Sequence, residues 1–170
     1  METNRHTLNN LSMNKIYLVG RKGKGKYTLV DYEDYMRLKK YHWHISINTS
    51  GITYVSRTTK DNKKIYLHRE ILNPPDNYLI DHINMNGLDN RKENLRLATK
   101  QQNLVNSPKQ RNNTSGYKGV YKCGYHWKAI LGLNKQNIYL GCSKSKEEVA
   151  RVYNLAASKQ HKEFANIINV

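Results

Sequence analysis

Four side chains near the middle of this 170-residue chain have types and spacings that could act together. Asp81 and His82 are adjacent, Asn94 follows His82 by twelve residues, and Asn103 follows Asn94 by nine. A neutral imidazole is the side chain that can take a proton near pH 7. Carboxylate and amide oxygens are the ligands a hard cation accepts. An Asp-His pair at a strand end, an Asn on the returning strand and an Asn on the next helix can converge at one point. The competing account is structural: Asp81 caps a turn and His82 packs with its hydrogen bonds satisfied. Asn90 competes with Asn94 for the central position and ranks below it, because it falls in the loop rather than at the start of the strand. Asn106 is a weaker rival to Asn103.

The elements that must carry these residues can be read from pattern. Pro74-Pro75 ends an upstream run, and Tyr78–Ile83 reads as a strand ending near the Asp-His pair. Asn84–Asn90 is a loop and Asn94–Ala98 the returning strand. Thr99 and Gln102 form a capping box, which starts a helix bearing Asn103. Upstream, Lys15–Val19 and Lys26–Val30 flank a basic Gly-Arg-Lys-Gly-Lys-Gly turn whose spacing is neither GxGxxG nor Walker A. Asp31 caps a short helix to about Lys40. Tyr41–Ile47, Ile52–Arg57 and Ile65–Leu72 read as strands, with Trp43, Ile45 and Ile47 on the buried face of the first. Residues 107–114 hold nothing to bury and read as a linker. Beyond it, Gly116–Lys122, His126–Leu133 and Ile138–Cys142 read as three strands. Ser145 and Glu148 form a second capping box, before a helix with Val149, Val152, Tyr153 and Ala156 on one face.

The runs Leu67-His68-Arg69, Ile80-Asp81-His82-Ile83-Asn84, Asp89-Asn90-Arg91-Lys92-Glu93-Asn94-Leu95-Arg96 and Gln101-Gln102-Asn103 resemble the HNH nuclease family, in the form carried by phage and intron-encoded homing endonucleases. The pattern covers residues 65–106. The resemblance implies a ββα-metal fold that hydrolyses phosphodiesters. It implies that His82 is the general base toward water and that Asn94 holds the imidazole in the right tautomer. It further implies that Asp81 and the amide oxygen of Asn103 hold a divalent cation, which neutralises the leaving 3′-oxygen. With two protein ligands, water and phosphate oxygens complete the shell, which suits Mg²⁺, with Mn²⁺ able to substitute. The third family position here is Asn rather than His, which favours oxygen ligation over zinc. Arg69 is a candidate phosphate clamp, and Arg91, Lys92 and Arg96 are candidates to track a DNA backbone. His68 matches the strand that precedes the motif and has no assigned role.

Residues 115–168 resemble the Apetala-type DNA-binding domain, known from plant ethylene-response factors and from fusions to phage HNH nucleases. The carrying residues are Gly116-Tyr117-Lys118-Gly119-Val120, Trp127-Lys128-Ala129, Tyr139-Leu140-Gly141, Glu147-Glu148-Val149-Ala150, Tyr153-Asn154-Leu155-Ala156-Ala157 and Phe164-Ala165-Asn166. The resemblance implies a sheet that lies in the major groove. Strand parity puts Trp127, Ala129 and Leu131 under the helix. The other face then offers Tyr121, His126, Lys128, Ile130, Asn137 and Tyr139 to base edges, and Lys118 and Lys122 would contact phosphate. The plant pattern has several Arg on this face. Tyr121, Ile130 and Gly132 stand in those places here, so the plant target sequence does not carry over.

Composition agrees with a polyanionic partner. Lys and Arg number 29 against 13 Asp and Glu, a formal net charge of +16, and the excess is shared between residues 1–107 and 108–170. No run approaches the roughly 18 apolar residues of a membrane span. Residues 1–14 are polar, lack a signal-peptide core and read as a disordered leader, so a cytoplasmic location is expected. The two cysteines, Cys123 and Cys142, make no CxxC pair, which excludes a cysteine-based zinc site.

The expectation is therefore an α+β chain with a nuclease domain at 15–106, a linker at 107–114 and a DNA-binding domain at 115–170. The nuclease domain is a ββα-metal region with added N-terminal strands. The DNA-binding domain is a three-stranded antiparallel sheet packed on one helix. The expected activity is Mg²⁺-dependent hydrolysis of double-stranded DNA. It nicks one strand per active site and works as a monomer, with a dimer or a second event needed for a double-strand break. No membrane or protein partner is expected. One rival is a non-catalytic, sequence-specific DNA-binding regulator with a decayed nuclease fold, and the intact Asp81-His82 pair argues against it. The other is a ribosome-associated RNA-binding protein, and the lack of an RNA-module signature argues against that.

Overall fold

The computed structural model describes residues 14–49, 51–110, 112–167 and 170. Of the expected leader, only Asn14 lies among them. The chain divides into two compact units, Met1–Ala98 and Thr99–Val170, so the division falls ahead of the expected 107–114 linker. Among the described residues, no helix is long and apolar enough to cross a membrane.

The first unit is a mixed α+β assembly of small antiparallel sheets. Strands β1 (Asn14–Tyr17) and β2 (Tyr27–Val30) form a hairpin. Ile16, Thr28 and Val30 face inward, while Tyr17 and Tyr27 stay exposed. Helix α1 (Tyr32–Leu38) follows its N-cap residue Asp31, whose carboxylate accepts from the Lys92 amide at 2.8 Å instead of capping the helix. Strands β3 (His44–Ile47), β4 (Thr53–Thr58) and β5 (Lys64–Tyr66) make the second sheet.

The strand expected at Ile65–Leu72 stops at Tyr66, and α2 (Leu67–Leu72) takes over. Leu67 and Ile71, one helical turn apart, are both buried, so a helix serves the core better than alternation would. Asn73, in the left-handed conformation at φ 44°, terminates α2 ahead of Pro74-Pro75. Strand β6 (Leu79–His82) then pairs antiparallel with β7 (Leu95–Ala98), after a 3-10 turn at Lys92–Asn94.

The core of this unit gathers Leu18, Val30, Leu38, Trp43, Val55, Leu67, Ile80 and Leu95. Trp43 is fully buried, and its indole Nε1 donates to Leu38 O at 3.0 Å. The loop between β6 and β7 is pinned from two sides. Leu29 of β2 donates to Leu88 O at 2.9 Å and accepts from Asn90 N at 2.8 Å. On the other side, Gly87 lies so close to β4 that a Cβ there would come within 1.9 Å of Thr53 O.

The second unit opens with α3 (Lys100–Val105), started by the complete Thr99–Gln102 capping box. Strands β8 (Val120–Cys123), β9 (His126–Leu133) and β10 (Gln136–Ser143) form an antiparallel sheet with β9 in the middle. Helix α4 (Lys146–His161) packs Val149, Ala150, Tyr153 and Ala157 on Val120, Ala129 and Leu131. Val152, expected on that face, is exposed. The Ser145 hydroxyl accepts from Glu148 N, but the Glu148 carboxylate takes Ser143 Oγ, so only half of the second capping box forms. Gly119, at φ +71°, sits where a Cβ would come within 2.0 Å of the Tyr153 ring.

Candidate active site

Strand β6 buries three residues in succession, Ile80, Asp81 and His82. Antiparallel pairing sets Asp81 directly opposite Arg96 and His82 opposite Leu95. The Arg96 guanidinium accordingly grips one carboxylate oxygen of Asp81, through Nε at 2.8 Å and Nη2 at 2.7 Å. Arg96, expected on a DNA backbone, is thus a mostly buried partner of Asp81. The cross-strand register is the physical reason, because opposite charges directly across a ladder attract.

The amide on the catalytic-type imidazole belongs to Asn90, not Asn94. His82 Nε2 lies 3.2 Å from Asn90 Oδ1, and Asn90 is completely buried. Donor counting fixes the direction of this bond. The Thr28 hydroxyl donates its one proton to Leu88 O at 2.8 Å, so its oxygen must accept from Asn90 Nδ2 at 2.9 Å. The second Nδ2 hydrogen goes to Gly87 O at 3.1 Å. Asn90 Oδ1 is then the atom facing the ring, His82 Nε2 donates to it, and Nδ1 carries the lone pair. A chain of bonds that starts on β2 therefore selects the tautomer.

Asn94 serves the loop instead. Its Oδ1 accepts from Asn84 N at 3.0 Å, and its Nδ2 donates to Asp89 O at 2.8 Å. The reason is geometric: Asn94 ends the 3-10 turn and faces the chain that leaves β6, whereas Asn90 is carried under the ring by the β2 contact.

Burial lowers the His82 pKa below the ordinary histidine range. The Asn90 bond and the carboxylates of Asp81 and Asp89 oppose that shift without cancelling it. The ring is therefore neutral near pH 7 and able to accept a proton. Asp89 is held below the usual carboxylate range by Arg91, which binds it through two nitrogens at 2.8 and 2.7 Å. Arg91, another expected backbone contact, is thus committed to Asp89. Lys92 reaches Glu33 at 3.3 Å and Asp34 at 3.6 Å. Arg69 Nη1 donates to Tyr78 O at 3.3 Å, which ties α2 to the segment leading into β6.

The first unit thus assembles Asp81, His82, Asn90, Asn94 and Arg96. Asn103 belongs to the second unit, half-buried on α3. Among the described residues, no group of three or more His, Cys, Asp or Glu could hold a metal ion. The donor chemistry fits a hard cation all the same. Asp81 offers a carboxylate, both cysteines lie in the second unit, and Mg²⁺ takes one or two carboxylates while keeping water and substrate oxygens as its other ligands.

In the second unit, the register places Tyr121, Lys128 and Cys142 abreast, pairs Ile130 with Tyr139, and pairs Gly132 with Asn137 and Cys123 with His126. Tyr121, His126, Lys128, Asn137 and Tyr139 therefore share the face turned away from α4, as parity predicts. Tyr121 and Tyr139 are exposed there. Two lysines depart from expectation. Lys122 pairs with Trp127 and so lies on the helix side of the sheet, though still exposed. Lys118, expected on a phosphate, is instead turned toward backbone carbonyls. Its Nζ donates to Val105 O at 2.5 Å and Ser107 O at 2.6 Å, closing the end of α3, and burial pulls its pKa down to about 8. Both cysteines are exposed and unpaired.

Sequence reasoning missed Thr28 and the role of Arg96, and it ranked Asn90 second. For Arg96, the signal was available in the opposite charges that antiparallel pairing aligns. Nothing local marks Thr28, which stands 62 residues from Asn90.

The β6–loop–β7 hairpin thus sets a buried imidazole next to an ion-paired carboxylate. Comparison with known proteins gives the family. The profile described as HNH endonuclease matches residues 73–105. An uncharacterized HNH endonuclease of Acanthamoeba polyphaga mimivirus is 34% identical over 156 residues, which cover 87% of this chain and 77% of the relative. The chain belongs to the HNH endonuclease family and is an endonuclease, a hydrolase. No solved structure matches it.

Proposed function

We propose that this endonuclease hydrolyses phosphodiester bonds of double-stranded DNA with Mg²⁺, as a homing-type enzyme that nicks one strand per active site. The observation that carries the reading is the Leu88–Thr28–Asn90–His82 hydrogen-bond chain, which leaves the His82 lone pair on Nδ1. Nδ1 takes the proton of the attacking water. Burial keeps the ring unprotonated near neutral pH, so the base is ready before substrate arrives. Asp81 would hold the divalent cation, with water and substrate oxygens completing its shell. When bound, such a cation polarises the phosphate and neutralises the leaving 3′-oxygen, and Mn²⁺ can take its place. Arg96 fixes the carboxylate and balances its charge. Asn94 and Arg91 hold the loop that presents Asn90.

The exposed face of the β8–β10 sheet, with Tyr121, His126, Lys128, Asn137 and Tyr139, is the surface that meets duplex DNA. The chain's +16 charge and the resemblance to the Apetala-type domain support this. The test is relaxation of supercoiled plasmid with Mg²⁺ and with EDTA, comparing the wild type with His82→Ala. The wild type should nick only with metal, and His82→Ala should lose about 10²- to 10⁴-fold in rate while still shifting DNA in a gel. Binding without any metal-dependent nicking by the wild type would instead identify a non-catalytic regulator.

A further inference from the structure

His68 is a second buried histidine beside the site, and nothing in the mechanism above uses it. It lies in the first turn of α2 and is 7% exposed. Its ring stacks on Tyr66 at 5.5 Å and 23°, and leans on Tyr54 at 5.5 Å and 54°. It meets the His82 ring edge to face, at 5.3 Å and 85°. Tyr54 touches His82 as well, at 6.1 Å. His68 Nδ1 has no hydrogen-bond partner among the described residues. A buried polar atom left in that state costs about 1–3 kcal/mol, which a hydrocarbon side chain would avoid. Burial, with the neighbouring His82 and Arg69, pulls the His68 pKa down to about 3, so the ring is uncharged near neutral pH.

A ring nitrogen's lone pair lies in the plane of the ring, so the ring plane decides the direction from which a proton can be taken. The Asn90 bond anchors the Nε2 corner of His82. A second contact is needed to stop the ring rotating about that corner, and hydrogen bonds weaken steeply once misaligned. From this packing we infer that His68, backed by Tyr54 and Tyr66, is a positioning residue that sets the plane of the His82 ring through their edge-to-face contact. The inference rests on His82 being the base. An aromatic neighbour does this without adding a charge that would compete for the proton.

The experiment measures nicking by the full-length chain at saturating protein concentration, together with the concentration giving half-maximal rate. The proteins are the wild type, His68→Ala, His68→Phe and His82→Ala. Thermal melts and ¹⁵N-resolved imidazole spectra of His82 accompany the kinetics. In His68→Ala the saturating rate should fall by about 10- to 100-fold, with the half-maximal concentration unchanged. Its His82 spectrum should move from a pure Nε2–H pattern to an averaged one. His68→Phe, which restores an aromatic ring, should return to within about threefold of wild type. A wild-type rate in His68→Ala alongside an inactive His82→Ala overturns the positioning role and leaves the base intact. An active His82→Ala overturns the base reading itself. His68→Phe as slow as His68→Ala overturns the role of the ring edge and transfers it to the nitrogen. Should His68→Ala fail to fold, the His68→Phe rate and its His82 spectrum decide the matter alone.

Discussion

Replacing Asn90 by Ala tests the central geometric argument. The side chain is fully buried and makes three hydrogen bonds, from His82 Nε2 at 3.2 Å, to Thr28 Oγ1 at 2.9 Å and to Gly87 O at 3.1 Å. Truncation leaves all three partners buried. At about 1–3 kcal/mol per stranded group, partly relieved by relaxation, unfolding free energy should fall by about 3 kcal/mol. The effect on catalysis should exceed what lost stability explains. Without an acceptor at Nε2, the proton is no longer held there and the lone pair no longer stays on Nδ1. Loss of a residue that orients a reacting group in this way costs about 10- to 100-fold. Nicking of supercoiled plasmid should therefore slow by that factor below the melting range, while DNA binding in a gel shift is unchanged. Asn94→Ala, run in parallel, should destabilise the loop and slow nicking less. If Asn90→Ala nicks at the wild-type rate while Asn94→Ala is crippled, the hydrogen-bond assignment is wrong and the original ranking of the two asparagines was right.

Three further outcomes follow from the same structure. Arg96→Ala should destabilise the first unit by about 3–5 kcal/mol, read from chemical denaturation, because it strands the Asp81 carboxylate at 7% side-chain exposure. Acid should weaken the fold through His68 and His82, whose folded pKa values both lie below the ordinary one. The unfolded chain then binds protons first, so the stability they contribute is complete above about pH 6.5 and is lost as pH falls. With His68 at about 3 in the folded state, about 2 kcal/mol should be gone by pH 5, and His68→Phe should flatten that slope in pH-dependent melts. Finally, Lys118→Met should lower the melting temperature of the second unit without changing the salt dependence of DNA binding. Lys128→Ala should leave stability alone and reduce the log-affinity against log-salt slope by about one.

What the sequence by itself determined was local. The Asp81-His82 pair, the loop after it, the returning strand and the Thr99–Gln102 cap are each encoded within a few residues, where capping, turn chemistry and period-two alternation act. The same holds for the sheet of the second unit. Alternation along His126–Leu133 was enough to sort Ala129 and Leu131 from Lys128 and Ile130. The tertiary structure decided which of several similar side chains does which task. Asn90 and Asn94 are chemically identical and four residues apart, and only the approach of β2 with Thr28, 62 residues away, sets one under the imidazole. Arg96 and Lys118 are basic in any reading. They differ from solvated lysines because the fold brings a carboxylate to one and a helix end to the other, and burial then makes leaving that pairing costly. The helical turn at Leu67–Leu72 has the same origin, since it buries Leu67 and Ile71 together. Short-range patterns name the elements and the reacting groups. Partners distant in sequence are chosen by contacts that exist only once the chain has closed around its core.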